Sequence, residues 1–279
     1  MVGQHGGMKN GSAWAEFERA GWEAHVEPYH QFFGPISDRV APALLNHAGV
    51  DAGVRVLDVC CGPGYLAGAA AAAGADAHGV DIAENMIKLA CRLHPRATFR
   101  VGDAAALPWP DAWFDVVVCN FGVHHVPEPA VALREFARVL SAGGRVAFSV
   151  WDDNRSGLGV VAKAVYGSGP TIPDHIPSPP AVPEYGSVDA ARLHLEAAGL
   201  HLDAIETVSF TQRYPNAEAL WEGWLAAAIR TRPVLEVQSA DLQRQARVAY
   251  DIAIVDMVNS VGEIDVPIVV QVIVASQRH

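Results

Sequence analysis

Between Val54 and Trp151 the chain alternates short β-branched, apolar runs with runs of helical period, and this alternation constrains its fold more than any other feature. Parallel strands cannot be joined by tight turns, so each needs a crossover helix, and helices on both faces make the strands continuously apolar. Strands are expected over 54–60, 75–81, 98–101, 114–120 and 145–151, with helices ending at Ala73, spanning 83–93 and starting at Pro129. Pro129 suits a first helical turn, Leu133, Phe136, Ala137 and Leu140 form that helix's apolar face, and Gly143-Gly144 is expected to stop it.

On the N-terminal side, Trp14, Phe17, Trp22, Tyr29, Phe32 and Phe33 lead into the periodic Val40, Leu44 and Leu45, which predicts two or three helices. On the C-terminal side, six prolines within 167–183 exclude regular structure there. A helix over 188–198 closed by Gly199 follows, then an alternating strand over 202–210. Next come a helix with Trp221, Trp224 and Leu225 on one stripe, a longer one capped by Ser239 and carrying Val248, Ile252 and Val255, and a last strand over 266–275. The expected layout is a loose tail (1–12), a helical cap (13–52), an α/β core (53–152), a Pro-rich lid (153–186) and a C-terminal part (187–279) with a helical insertion at 215–262, together one catalytic domain.

Charge narrows the partners. Twenty Lys and Arg against 31 Asp and Glu give a net charge of −11, and no basic run gathers the arginines, so nucleic acid is not an expected partner. No apolar stretch is long enough to suggest a membrane span, and the polar, Gly-rich start carries no signal pattern. Cys60, Cys61, Cys91 and Cys119 show neither metal spacing nor a disulfide framework, and reduced thiols in a cytoplasmic protein are expected.

The first strand runs through Asp58 into Val59-Cys60-Cys61-Gly62-Pro63-Gly64, a turn that lets backbone amides at a helix N-terminus approach a ligand. Nineteen residues beyond Gly62, the second strand ends at Asp81, where a carboxylate can accept both ribose hydroxyls. Gly62 to Ala67 also satisfies the dinucleotide pattern G-x-G-x-x-A, which leaves a nicotinamide oxidoreductase open at this point. Three further features weigh against it. Asp58 would repel a pyrophosphate and welcome an ammonium; the third strand ends in Gly102-Asp103-Ala104; and Phe114 to Asn120 leads to His124-His125 and then to Arg138-Val139-Leu140-Ser141-Ala142-Gly143-Gly144. Taken together, these motifs resemble the class I S-adenosylmethionine-dependent methyltransferases, in the small-molecule branch that includes the quinone-biosynthesis enzymes. The resemblance covers about residues 25–215 and, more loosely, the last strand.

That resemblance implies a doubly wound, seven-stranded, mostly parallel Rossmann-like sheet with an antiparallel last strand. It implies S-adenosyl-L-methionine as cofactor, with Asp58, Gly62 and Gly64 around the methionine moiety, Cys60 packed under the cofactor and Asp81 on the ribose. Ile82 and Met86 would flank sugar and adenine, Asp103 and Ala104 read the adenine edge, and Asn120 offers its carbonyl near the ammonium. Cys60 stands where many members have the first glycine of the loop; its backbone need not be left-handed, so this departure does not count against binding. Plainer readings stand beside these: Asp58 and Asp103 as turn or helix caps, and Met86 as core.

Methyl transfer from a sulfonium needs in-line approach, exclusion of water and a deprotonated acceptor, so a catalytic base is optional. Its candidates are His125, after the fourth strand, and Tyr29, in the cap; in phosphoethanolamine methyltransferases, which this region weakly resembles, a histidine so placed pairs with an N-terminal tyrosine. Otherwise His125 only shapes the pocket. Asp152-Asp153-Asn154 with His124 and His125 could imitate a metal site, yet a turn explains them more simply and no metal is expected. Trp22, Phe32, Phe33, Tyr166, His175, Tyr185, Trp221, Trp224 and Tyr250 suit an apolar or aromatic small-molecule acceptor, unless they are core. The leading function is methyl transfer to O, N or C of such a metabolite; the alternative is a non-methylating isomerase, cyclase, pericyclic catalyst or binding protein on the same fold.

Overall fold

The computed structural model describes residues 10–179, 185 and 187–277. Three helices come first, α1 (Asn10–Ala24), α2 (Val26–Phe32) and α3 (Gly34–Ala48), the last burying Ile36, Val40, Leu44 and Leu45. Of the segment expected as a tail, residues 1–9 lie outside the described residues, and α1 already starts at Asn10. The alternating core follows: β1 (Arg55–Val59), α4 (Tyr65–Ala72), β2 (Asp76–Asp81), α5 (Glu84–Leu93), β3 (Thr98–Val101), β4 (Phe114–Asn120), α6 (Pro129–Val139) and β5 (Leu140–Trp151). Beyond it lie α7 (Val160–Gly167), α8 (Val188–Ala197), β6 (Leu200–Tyr214), α9 (Ala217–Ala227), α10 (Thr231–Glu236), α11 (Ala240–Ala253), a short 3-10 turn (Val255–Met257) and β7 (Ile264–Gln277).

Seven strands form one sheet in the order β3-β2-β1-β4-β5-β7-β6. The first five are parallel; β7 runs antiparallel to both β5 and β6. The order reverses between β1 and β4, and in open α/β sheets that reversal opens a crevice at the carboxyl ends of the strands. Leu57, Phe114, Val117, Phe148 and Ile273 pack with α6 and α8 on one face, while Val56, Val118, Ala147 and Val272 pack against Leu44 of α3 and Leu66 of α4 on the other. A further cluster joins α2, α3, α7, α9 and α11 over the far end of β7.

Four features depart from the sequence reading. The α6 helix ends at Val139, before the glycines, because Leu140 is already extended and begins β5. Gly143, at φ +75, serves instead in the irregularity where Phe114 pairs with Leu140 but Val116 with Arg145; a Cβ on Gly144 would lie 2.8 Å from the Asp115 carbonyl. On α11 the buried stripe is Ala246 and Tyr250, whereas Val248 and Ile252, and Val255 in the 3-10 turn beyond it, are exposed, at 56, 69 and 63%. Finally, α7 occupies part of the segment read as a lid, of which residues 180–184 and 186 lie outside the described residues. The last two strands also run longer than the alternation indicated, since they pair from Leu200↔Gln277 to Tyr214↔Ile264. Among the described residues no helix is long and apolar enough to cross a membrane.

Candidate active site

The turn between β1 and α4 is held in a demanding shape by three left-handed residues, Cys60 (φ 56), Gly62 (φ 51) and Gly64 (φ 81). The sequence did not require Cys60 to be left-handed, yet it is: a side chain stands where backbone geometry favours glycine. It is tolerated because Gly122 leaves room, a Cβ on Gly122 falling 2.4 Å from Cys60 Cβ. A hydrogen bond with Cys119, together with burial, pushes the Cys60 thiol well up, so it stays protonated and unreactive.

Asp81 ties this turn to β2. Its Oδ2 accepts from Gly62 N–H at 2.8 Å and its Oδ1 from Ala83 N–H at 2.9 Å. Burial raises the carboxyl above its ordinary value, against the pull of the two amides. Each oxygen accepts one amide and has acceptor capacity left, so the carboxylate that lines the cavity is fixed in place yet still able to accept further hydrogen bonds. A Cβ on Gly62 would meet nothing nearer than Tyr29 Cε1 at 3.9 Å, so the bare backbone leaves space a ligand can fill.

The cavity measures about 920 Å³. It brings together Tyr29, Cys60, Gly62, Asp81, Ile82, Met86, Asp103, Ala104, Asn120 and His125 of the expected residues, but neither Asp58 nor Gly64. Asp58 lies behind the turn, 1% exposed, accepting from Ala67 N–H at 3.1 Å in the first turn of α4. Burial pushes its carboxyl up to about 8, with the Asp81 charge adding to the rise. The folded chain therefore holds a proton there that the unfolded chain releases above about pH 4, and this contribution to stability is lost as pH rises from 4 toward 8. Asp58→Asn is expected to remove that slope, gaining on wild type by up to about 1.4 kcal/mol per pH unit between pH 5 and 8, read from urea midpoints. Gly64 has a packing role: its Cβ would lie 2.7 Å from the Phe99 ring. Gly64→Ala is expected to cost about 2–4 kcal/mol in urea unfolding, from left-handed strain and overpacking.

At the tip of β4, Asn120 Oδ1 accepts from Ser149 Oγ at 2.5 Å, and the same hydroxyl accepts from Phe121 N–H at 2.9 Å. Phe121 is left-handed at φ 59 and is held by its stack on Trp151, 3.8 Å between centroids. Asp103 Oδ1 accepts from Ala105 N–H at 2.8 Å, which makes it a turn residue as well as a wall. Arg138 steadies the loop that follows, bonding the Leu107 and Trp109 carbonyls while ion-paired to Glu135 and Asp111.

Above this half sits α1. His125 Nδ1 lies 3.0 Å from Glu18 Oε2, which also accepts from Trp22 Nε1 at 2.7 Å. Trp14 Nε1 donates to the His125 carbonyl at 2.8 Å. With Nδ1–H directed at Glu18, Nε2 becomes the nitrogen that carries the lone pair. Tyr29 is not paired with His125, since the Trp22 ring packs against both, at 5.5 and 5.2 Å. Burial pushes the Tyr29 hydroxyl up to about 12, so it stays protonated near neutral pH. His124 is half-buried, and the loss of water around its ring, with His125 beside it, holds its pKa well below the ordinary value.

Sequence reasoning missed Glu18, although its signal was present: Trp14, Glu18 and Trp22 are spaced four apart, a helical stripe on which a lone acid sits between two indoles. Among the expected aromatics, Trp22, Phe33, Tyr185 and Trp224 line the cavity, while Trp221 and Tyr250 are core, with Tyr250 Oη donating to the Ala217 carbonyl. Phe32, Tyr166 and His175 are not on its wall either. Asp152 is engaged by Arg155 and Gln271, and among the described residues no three His, Cys, Asp or Glu side chains gather as a metal site.

A family model described as a methyltransferase domain matches residues 57–148. A demethylmenaquinone methyltransferase of Renibacterium salmoninarum is 40% identical over 37% of this chain and 44% of its own, and a ubiquinone biosynthesis O-methyltransferase of Idiomarina loihiensis is 38% identical over 43% and 52%. Against these relatives the chain spans about half of their length. The match to the 27-O-demethylrifamycin SV methyltransferase of Amycolatopsis mediterranei is longer, 31% identity over 75% of this chain and 76% of that one. The Bacillus subtilis YcgJ structure superposes with a TM-score of 0.57 at 20% identity, covering 86% of this chain and 99% of its own, and so shows the fold. A Haloferax volcanii methyltransferase complexed with the Trm112 activator reaches 0.59 at 20% identity, over 95% and 98%. The sheet order, the antiparallel β7 and the breadth of the rifamycin-enzyme match exclude the oxidoreductase alternative, and the chain belongs to the class I S-adenosylmethionine-dependent methyltransferases.

Proposed function

We propose that this protein methylates an oxygen of a small, largely apolar or aromatic metabolite, with His125 as general base. The observation that carries the reading is the Glu18–His125 pair, set in the wall of the same cavity as Asp81 and Asn120. S-adenosylmethionine supplies the electrophilic methyl group. On the donor side, Asp81 accepts the ribose hydroxyls, Gly62 gives close backbone approach, Asn120 presents its carbonyl, and Ile82, Met86, Asp103 and Ala104 enclose the adenosine. Asp58 and Gly64 act from behind, by shaping the turn. On the acceptor side, Trp22, Phe33, Trp151 and Trp224 exclude water and orient the ring, while Glu18 holds His125 so that Nε2 can take the acceptor's proton. Oxygen is favoured because two relatives, the ubiquinone and rifamycin enzymes, are O-methyltransferases or demethyl-oxygen methyltransferases by name.

The test has two stages. Thermal shift with S-adenosylmethionine, S-adenosylhomocysteine and NAD should show stabilisation by the first two alone, about 2.7 kcal/mol at 100 times the dissociation constant. A mass-spectrometric screen of phenols against matched anilines then reads the methylated atom. Methylation of anilines alone, or no product from any member, overturns the oxygen assignment.

A further inference from the structure

Arg230 differs from the other charged groups of the cavity. It lies in the turn between α9 and α10 and is the one Arg or Lys among the lining residues described. Of the five acids that line the cavity, four are already engaged, Glu18 by His125 and Trp22, Asp81 by two amides, Asp103 by Ala105 N–H, and Asp152 by Arg155 and Gln271, while the fifth, Asp153, is exposed and forms no ion pair with Arg230. Among the described residues Arg230 forms no ion pair, whereas nearby Arg232 has both Glu222 and Glu236. Its Nη2 donates to the Pro177 carbonyl at 3.3 Å, and its Nε is buried with no partner among the described residues. A guanidinium offers five donors, so most of its capacity is unspent.

Its position is fixed from several sides. Neighbouring Ile229 seats on α1 so closely that a Cβ on Gly21 would fall 2.8 Å from it. The guanidinium carbon lies 5.6 Å from the Trp14 ring and 6.0 Å from the Tyr166 ring. Trp14 in turn holds the His125 carbonyl, so a single indole connects Arg230 to the segment bearing the base. Tyr185, whose buried hydroxyl has no partner among the described residues, lines the same cavity. A cation kept unpaired in a partly apolar enclosure is costly, and a ligand's anion relieves that cost.

We propose that Arg230 anchors a carboxylate of the methyl acceptor, so that the acceptor is an apolar or aromatic acid. This rests on the methyl-transfer reading above and specifies its substrate class. The test uses the full chain saturated with S-adenosylhomocysteine and titrated calorimetrically with matched acids and amides: phenylacetate and phenylacetamide, salicylate and salicylamide, naphthoate and naphthamide. At least one acid should bind about tenfold more tightly than its amide, as expected for a charge-assisted bidentate contact. Arg230→Met should abolish the preference without weakening S-adenosylhomocysteine binding, and Arg230→Lys should retain part of it. Equal affinities within every pair, no binding by any acid, or a preference that survives in R230M each overturns the proposal. Failure of S-adenosylhomocysteine to bind the wild-type protein is a different result, which overturns the methyl-transfer reading and the anchor with it.

Discussion

Asp81→Ala is expected to weaken binding of S-adenosylmethionine and S-adenosylhomocysteine by about 10- to 150-fold, equivalent to ~1.5–3 kcal/mol. Two losses combine. The ribose hydroxyls lose a charged acceptor, and the amides of Gly62 and Ala83 lose the oxygens that orient them at 2.8 and 2.9 Å. With its amide unheld, the left-handed Gly62 turn is less well preorganised for the ligand. Asp81→Asn separates the contributions, since it keeps the shape and one accepting oxygen but turns an NH2 group toward a backbone donor. Calorimetry reads the affinity and circular dichroism confirms the fold. Undiminished affinity in folded D81A would refute the ribose assignment.

The second large effect belongs to the His125 dyad. With an acceptor in hand, His125→Ala should lower kcat by about 10²–10⁴-fold, the usual worth of a positioned general base, with the KM for donor moving far less. Glu18→Gln should cost about 10- to 100-fold, because Glu18 acts through the ring it orients. The introduced carboxamide can turn its NH2 toward Nδ1, which favours the tautomer with the proton on Nε2, where the acceptor needs a lone pair. That signature sets a positioning role apart from a structural one: kcat falls while KM and the melting temperature hold. A loss under about tenfold in H125A would reduce His125 to a wall of the pocket and leave proximity and desolvation as the source of rate.

The half of the cavity proposed to hold the donor is legible in the sequence because it is local: strand-end residues such as Asp81, Asp103 and Asn120 reach the crevice by virtue of the β/α alternation alone. Asp58 also comes from a strand end, yet the turn folds over it, and only the three-dimensional path of residues 60–64 reveals that. The acceptor half depends on pairings across long stretches of chain. Glu18 meets His125, and Arg230 meets Trp14, through the docking of helices whose angles no periodicity specifies. The same limit explains the misread α11 face, where apolar period marked Val248, Ile252 and Val255 but packing on α7 selected Ala246 and Tyr250. The α6 boundary failed for a local reason: Gly143-Gly144 reads equally well as a helix stop or as a bulge, and strand pairing with β4 decided it.

Four of the seven tryptophans, Trp14, Trp22, Trp151 and Trp224, stand in the cavity wall, and the remaining three lie off it. Intrinsic emission of this protein should therefore be dominated in its response by this cavity. Displacing water beside those indoles shifts their emission maximum, and a quenching aromatic ligand dims it, while Trp109, Trp113 and Trp221 supply a steady background. The enzyme thus carries its own optical probe, and acceptor libraries can be screened by fluorescence before any product is sought.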